Sequence, residues 1–245
     1  MAAGLNYPDQ WLKAWLAMFE AEVEKAALSL GACLVGFADL ASYVDEYGVA
    51  KPILERFPRA VSIAFRLSNP IIDGISKDWP TEAYAHHYRV VNAALDYIAL
   101  RVSSLIQKLG YLAQPIPASQ EVDEERRLGA LSHKGVAALA GLGWIGKSGL
   151  LVTKRYGPRV RLVTVVTNAP LKTGSPIPNE CGDCEECVKA CPSKAIVGRL
   201  SNRPRREDLV DVYRCDERLR FFASNPKIGV RVCGVCVKVC PKGGV

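Results

Sequence analysis

The stretch "NECGDCEECVKACPSKAI", Asn179 to Ile196, packs four cysteines into eleven residues and places a proline directly after the last. Its spacing is Cys181-x-x-Cys184-x-x-Cys187-x-x-x-Cys191-Pro192. Three thiolates at two-residue intervals can wrap a loop around one face of a metal cluster. The fourth falls at the start of a helical turn and points elsewhere. A second run, Cys233-x-x-Cys236-x-x-x-Cys240-Pro241, lies downstream, with Cys215 as its first cysteine displaced by an insertion.

The doubled run is the bacterial ferredoxin pattern, in which the fourth cysteine of each run ligates the other cluster. By that pattern Cys181, Cys184, Cys187 and Cys240 hold one [4Fe–4S] cluster, and Cys215, Cys233, Cys236 and Cys191 hold the other. Crossed ligation sets the two cubes close enough to pass electrons. Zinc sites instead favour two separated Cys-x-x-Cys pairs, and disulfides are rare in a reducing compartment. Cys33, alone in an apolar strand, reads as an inert core thiol.

Composition sets the remaining bounds. The chain has 245 residues, 49% of them hydrophobic and 23% charged, which is enough apolar mass for a core. No run is long and apolar enough for a membrane span, and the N-terminus lacks a secretory pattern. A cytoplasmic protein without membrane association is therefore expected. The formal charge is +7. Two four-thiolate clusters would add about −4 to it, because ligands must be deprotonated to bind. The basic balance is thus a weak sign of nucleic acid, and it could equally steer an acidic electron donor.

The cysteines divide the chain. Residues 1–172 contain only Cys33, and 173–245 contain the other eight. The turn-rich segment Lys172 to Asn179 reads as the connection. In the first part Pro8 to Leu30 is expected to be helical, with Trp11, Leu12, Trp15, Leu16, Phe19 and Val23 as a core stripe. Cys33–Phe37, Ala60–Phe65 and the β-branched Arg161–Thr167 are expected strands. Glu82–Leu109 is an expected long helix stopped by Gly110. Helices and strands alternate without a regular βαβ rhythm, so the expected fold class is α+β.

A two-cluster ferredoxin needs far fewer residues, so the first part is expected to hold an acceptor site. Its most distinctive stretch is Ala140-Gly-Leu-Gly-Trp-Ile-Gly-Lys-Ser-Gly-Leu-Leu-Val152. The glycines suit either tight structural turns or a ligand cradle. This loop, then a strand ending in Val-Val-Thr-Asn-Ala-Pro-Leu171, then the two cysteine runs in order, resembles the epoxyqueuosine reductases, which are related to reductive dehalogenases. Ala83-Tyr-Ala-His-His-Tyr88 sits where that family has a Tyr-rich, His-containing segment.

The resemblance implies a nitroreductase-like sheet domain before a ferredoxin-like two-cluster module. It implies cobalamin bound near one cluster, with Gly141, Gly143, Trp144, Ile145, Gly146, Lys147 and Ser148 lining the corrinoid and His86 and His87 beside it. Tyr88, His133 and Lys134 are the candidate catalytic side chains: His133 could donate a proton, and Lys134 could bind an anionic tail.

Two departures shape the expected function. Where the family has an acidic residue, a gap-free count places Arg127, at the end of a charged run from Glu121 expected to be a solvated loop. The family's C-terminal extension has no counterpart before Val245. Reduction of a small substrate, or of the corrinoid itself, is therefore expected ahead of two alternatives. One is an electron-transfer protein with a partner-docking domain and no corrinoid. The other is a tRNA epoxyqueuosine reductase. The expected partners are a reduced ferredoxin or flavodoxin-type donor, a corrinoid, and a small-molecule or corrinoid-protein acceptor. Nucleic acid is not expected, because Arg199, Arg203, Arg205, Arg206, Arg214, Arg218 and Arg220 are interrupted by acids and read as a solvated helix face.

Overall fold

The computed structural model describes residues 9–45, 48–201 and 205–243. Helix α1 (Asp9–Ser29) leads into strand β1 (Leu34–Asp39), short helix α2 (Lys51–Leu54) and strand β2 (Arg59–Arg66). Short helix α3 (Asn69–Asp73) and the long α4 (Glu82–Lys108) follow, then β3 (Ala113–Ile116) and α5 (His133–Leu139). A hairpin of β4 (Trp144–Ile145) and β5 (Leu151–Val152) precedes β6 (Val160–Thr167). The cysteine-rich part adds α6 (Glu186–Ala190), α7 (Arg206–Leu209), α8 (Val212–Ala223) and α9 (Val235–Lys238).

Strands β1-β2-β6-β3 form one sheet in that order, every pair antiparallel. Its central strands are apolar on both faces because both faces are covered. Val61, Ile63, Val163 and Val165 pack with α1 and α4, whereas Ala60 and Val166 pack beneath α5 with Val136 and Ala140. Pro115, which cannot donate to a ladder, sits on edge strand β3. Helix α4 begins where the Thr81 hydroxyl accepts from Tyr84 N–H, and Gly110 follows its end at φ +90°. Val91, Leu95, Ile98, Val102 and Ile106 are its buried stripe.

The long helix and three strands fall within two residues of expectation. In α1, Phe19 and Val23 are buried, while Trp15 stays partly exposed and packs on Phe19 at 5.5 Å. Pro8 and Arg203, and the side chains of Trp11 and Leu12, lie outside the described residues. The same core that holds α4 to the sheet takes in Phe222, Ile228, Val232 and Val235 from the cysteine-rich part. Arg159, buried at the start of β6, pairs with Asp73 at 2.7 Å. Lys238 Nζ donates to Ile75 O at 2.6 Å. The first tie fixes β6 to α3, and the second holds α9 against the turn after α3.

Candidate functional site: two cysteine groups and a shared cavity

The eight cysteines form two groups by their mutual electrostatic effect. Burial pushes the Cys187 thiol up to about 11, and the nearby thiols of Cys181, Cys240 and Cys184 add to the rise. This outer group includes the exposed Cys184. Burial likewise pushes Cys215 up to about 11, with Cys233 and Cys191 adding to it. Cys236 is pushed well up by burial and then by Cys233, Cys215 and Cys191. Burial opposes ionisation of Cys191 too, yet hydrogen bonds from Ser193, Ala195 and Ile196 outweigh it and its thiol lies below the usual range. Each group thus takes one cysteine from the other run. Cys187 on α6 also acts on Cys236 of α9, so the groups adjoin.

Among the described residues, no three His, Cys, Asp or Glu side chains converge on the position of a single metal ion. The donor chemistry of each group, four thiols ionised on metal binding, fits an iron–sulfur cluster. Asn179 positions the first ligand: its side chain donates to Ile145 O at 2.7 Å and accepts from Cys181 N–H at 2.9 Å. Gly146 meets the same ligand. A Cβ there would lie 3.2 Å from Cys181 Sγ and 2.8 Å from Val152 Cγ2, so the hairpin tip can abut the cysteine only without a side chain.

A cavity of about 880 Å³ opens between the sheet part and the inner group. Cys191, Cys215, Cys233 and Cys236 share its wall with Tyr88, His133, Lys134, Ile145, Ser148 and Arg161. Its volume lies in the usual range for organic ligands. At one point of the wall Arg161 lies over the Tyr88 ring at 4.1 Å and donates to its hydroxyl at 3.3 Å. The Tyr88 hydroxyl also bonds Ser119 Oγ at 3.1 Å. Burial alone would raise the Tyr88 phenol. The Arg161 charge and hydrogen bonds from Ser119, Asn92 and Arg161 outweigh it, and the phenol lies below its ordinary range.

Several expected cofactor residues do other work. Gly141, at φ +77°, ends α5, its N–H reaching Ala138 O at 3.1 Å. Gly143 and Trp144 belong to the hairpin rather than to the cavity wall. Lys147 and Gly146 are also absent from that wall. His86 is exposed, and His87 Nε2 accepts from Ser68 N–H at 3.1 Å outside the cavity. Of the expected cradle only Ile145 and Ser148 line the cavity. The stretch is a helix stop followed by a β-turn hairpin, which accounts for its glycines. Trp144 is 3% exposed, so Trp144→Ala should cost about 3–5 kcal/mol of stability, read by denaturant unfolding.

His133 also departs from expectation. Pro117 O, 3.0 Å away, can only accept, so Nε2 carries the proton and Nδ1 accepts from Thr164 Oγ1 at 2.8 Å. Burial lowers its pKa, and its one proton is already engaged. Lys134 lines the cavity but donates to Gly149 O at 2.5 Å. Arg127 is not solvated: at φ +56° it reaches the buried Asp216 at 2.7 Å. Asp216 receives Arg220 at 2.7 Å as well. Arg161 was legible only as the charged start of an apolar strand, and the pairing of Arg127 with Asp216 had no sequence signal.

This geometry defines a two-cluster iron–sulfur module joined to a cavity-bearing α+β sheet part. Residues 180–243 match the 4Fe-4S double cluster binding domain. The chain is similar to the epoxyqueuosine reductase of Listeria monocytogenes, 37% identical over 121 residues, covering 46% of this chain and 30% of the relative. The Bacillus anthracis epoxyqueuosine reductase is 33% identical over 149 residues, covering 56% of this chain and 36% of the relative. The chain thus spans about a third of the length of these curated relatives.

Among solved structures, a reductive dehalogenase described with a B12-dependent mechanism matches 91% of this chain and 31% of its own, with TM-score 0.67 and 19% identity. An epoxyqueuosine reductase from Bacillus subtilis, with an aspartate catalytic loop swung out of its active site, matches 93% of this chain and 66% of its own, with TM-score 0.62 and 21% identity. An epoxyqueuosine reductase bound to an epoxyqueuosine-modified tRNA stem loop matches 93% and 66%, with TM-score 0.58 and 23% identity. The resemblance read from the sequence is borne out, and the structural likenesses establish the fold. The expectation that nucleic acid is no partner finds no support in these likenesses, one of which is to a protein solved with a tRNA stem loop. Among the described residues, no helix is long and apolar enough to cross a membrane.

Proposed function

We propose that this chain is an iron–sulfur oxidoreductase whose first reading is reduction of epoxyqueuosine in tRNA. The observation that carries the oxidoreductase is the shared wall: the inner cysteine group, Tyr88 and Arg161 face one cavity, so electrons and a proton can meet there. The two curated relatives above, both named epoxyqueuosine reductase, turn that reading toward tRNA and displace the small-substrate reading from first place.

Removing an epoxide oxygen takes two electrons and two protons and releases water. Two clusters, each reduced by one electron, hold the required pair. Cys181, Cys184, Cys187 and Cys240 would hold the outer cluster, and Cys191, Cys215, Cys233 and Cys236 the inner. A reduced ferredoxin or flavodoxin-type protein is the proposed donor. Residues 1–172, read as a nitroreductase-like sheet domain, would carry the acceptor site, and 173–245 the relay. A cobalamin-type group is the proposed cavity occupant, with Ser148, Leu150 and Ile145 along one wall. When bound it would supply a metal able to change valence by one and two electrons. Tyr88 would hold a proton at its hydroxyl, and Arg161 would orient it.

One observation favours the second reading, reduction of a small substrate or of a corrinoid. Arg127 stands where a gap-free count places the family's acid, and it is committed to Asp216. The deciding experiment gives reduced, cobalamin-loaded protein tRNA carrying epoxyqueuosine and looks for queuosine by mass spectrometry. Turnover supports the first reading. Retention of cobalamin through gel filtration without queuosine formation supports the second.

A further inference from the structure

Two cations stand beside the inner cysteine group with no carboxylate partner among the described residues. Arg218 follows Cys215 by three positions on α8, so both side chains leave one face of the helix. It lines the cavity with Cys215 and Cys233, and its guanidinium rests over Phe222 at 4.6 Å and Phe221 at 5.3 Å. Its Nε is buried without a hydrogen-bond partner. Lys134 reaches the same wall from α5, its ammonium bonded to the Gly149 carbonyl. The one acid next to Cys215 on α8, Asp216, shares this wall, but Arg127 and Arg220 each pair with it at 2.7 Å.

The outer group has the opposite surroundings. Lys242 follows Cys240 by two positions, but its side chain is 45% exposed and paired with Glu180 at 3.0 Å. Glu180, Asp183, Glu185 and Glu186 crowd the ligand segment, all exposed. Asp183 and Glu186 have no cation partner among the described residues. A cluster gains negative charge on reduction, so nearby cations favour its reduced form and nearby anions oppose it. Solvent screens the exposed acids more than the half-buried cations, but both effects act in the same direction.

We infer that Arg218 and Lys134 hold the reduction potential of the inner cluster above that of the outer, so that the relay runs from the exposed Cys184 side toward the cavity. In each step the reduced outer cluster loses one electron, the oxidised inner cluster gains it, and a low-potential one-electron donor refills the outer. The inference rests on the two-cluster reading, which iron and sulfide analysis of the anaerobic protein tests separately and first. Finding fewer than two clusters removes both.

The test is a dithionite titration of the holoprotein followed by electron paramagnetic resonance. In the unaltered protein, the potential that responds to changes at Arg218 should be the higher of the two. Arg218→Gln should lower it by a tenfold change in equilibrium, about 59 mV for one electron, and leave the other in place. Arg218→Lys should restore most of the loss. Should Arg218→Gln fail to assemble its cluster, Lys134→Gln makes the same measurement from the other side. Inner and outer potentials that do not move in either variant, or an outer potential above the inner, would overturn the inference.

Discussion

A Cys191→Ala protein is expected to keep about four of its roughly eight irons, and the cluster it loses is the one beside the cavity. Cys191 belongs by sequence to the first run, ten positions after Cys181. Its surroundings belong to the second. The thiols of Cys215, Cys233 and Cys236 all feel its charge, while the thiols that add to the effect of burial on Cys187 are Cys181, Cys240 and Cys184. Ala195 N–H lies 3.3 Å from Cys191 Sγ, a bond that favours the thiolate. Removing this ligand should therefore have the spectroscopic consequence of removing Cys215, and Cys240→Ala that of removing Cys184. Metal analysis and electron paramagnetic resonance of the four single variants decide it. If Cys191→Ala instead resembles Cys184→Ala, the ligation is uncrossed.

The ligand cysteines were legible because their spacing is local and repeats. The strands and the long helix were legible for a related reason. Arg161–Thr167 is β-branched and buried on both faces, and the apolar positions of α4 recur at helical intervals. The cavity was much less legible. The glycine-rich loop has the composition of a cradle and of a hairpin alike, and what decides between them is tertiary. The carbonyl of Val152 leaves no room for a Cβ at Gly143, and Trp144 turns inward. The contacts that define the wall join residues far apart in the chain. Arg161 meets Tyr88 across 73 positions, and Arg127 meets Asp216 across 89. No periodicity encodes such pairs. His133 shows the limit from the other side: its residue type suggested a proton donor, but Thr164 on the central strand and the Pro117 carbonyl already occupy both ring nitrogens.

Tyr88→Phe should leave both clusters intact and lower turnover by about 10²–10⁴-fold, the usual range for loss of a positioned acid. The change keeps the ring beneath Arg161 and removes only the hydroxyl, so the cation–π contact at 4.1 Å survives. The pH profile separates this role from a structural one. A tyrosine donates only while protonated, so activity should fall as pH rises through the pKa of the folded protein. Burial would carry that limb upward, but the Arg161 charge and the hydrogen bonds of Ser119, Asn92 and Arg161 bring it below the ordinary tyrosine value of 10.0. The alkaline limb should therefore lie under that value in the unaltered protein and vanish in Tyr88→Phe. Arg161→Gln should move it upward, because the largest stabiliser of the phenolate is gone. The measurement is the rate of substrate reduction across the alkaline range, with iron content checked in each variant. A Tyr88→Phe protein that keeps both the limb and the rate would assign the proton to another group on the cavity wall.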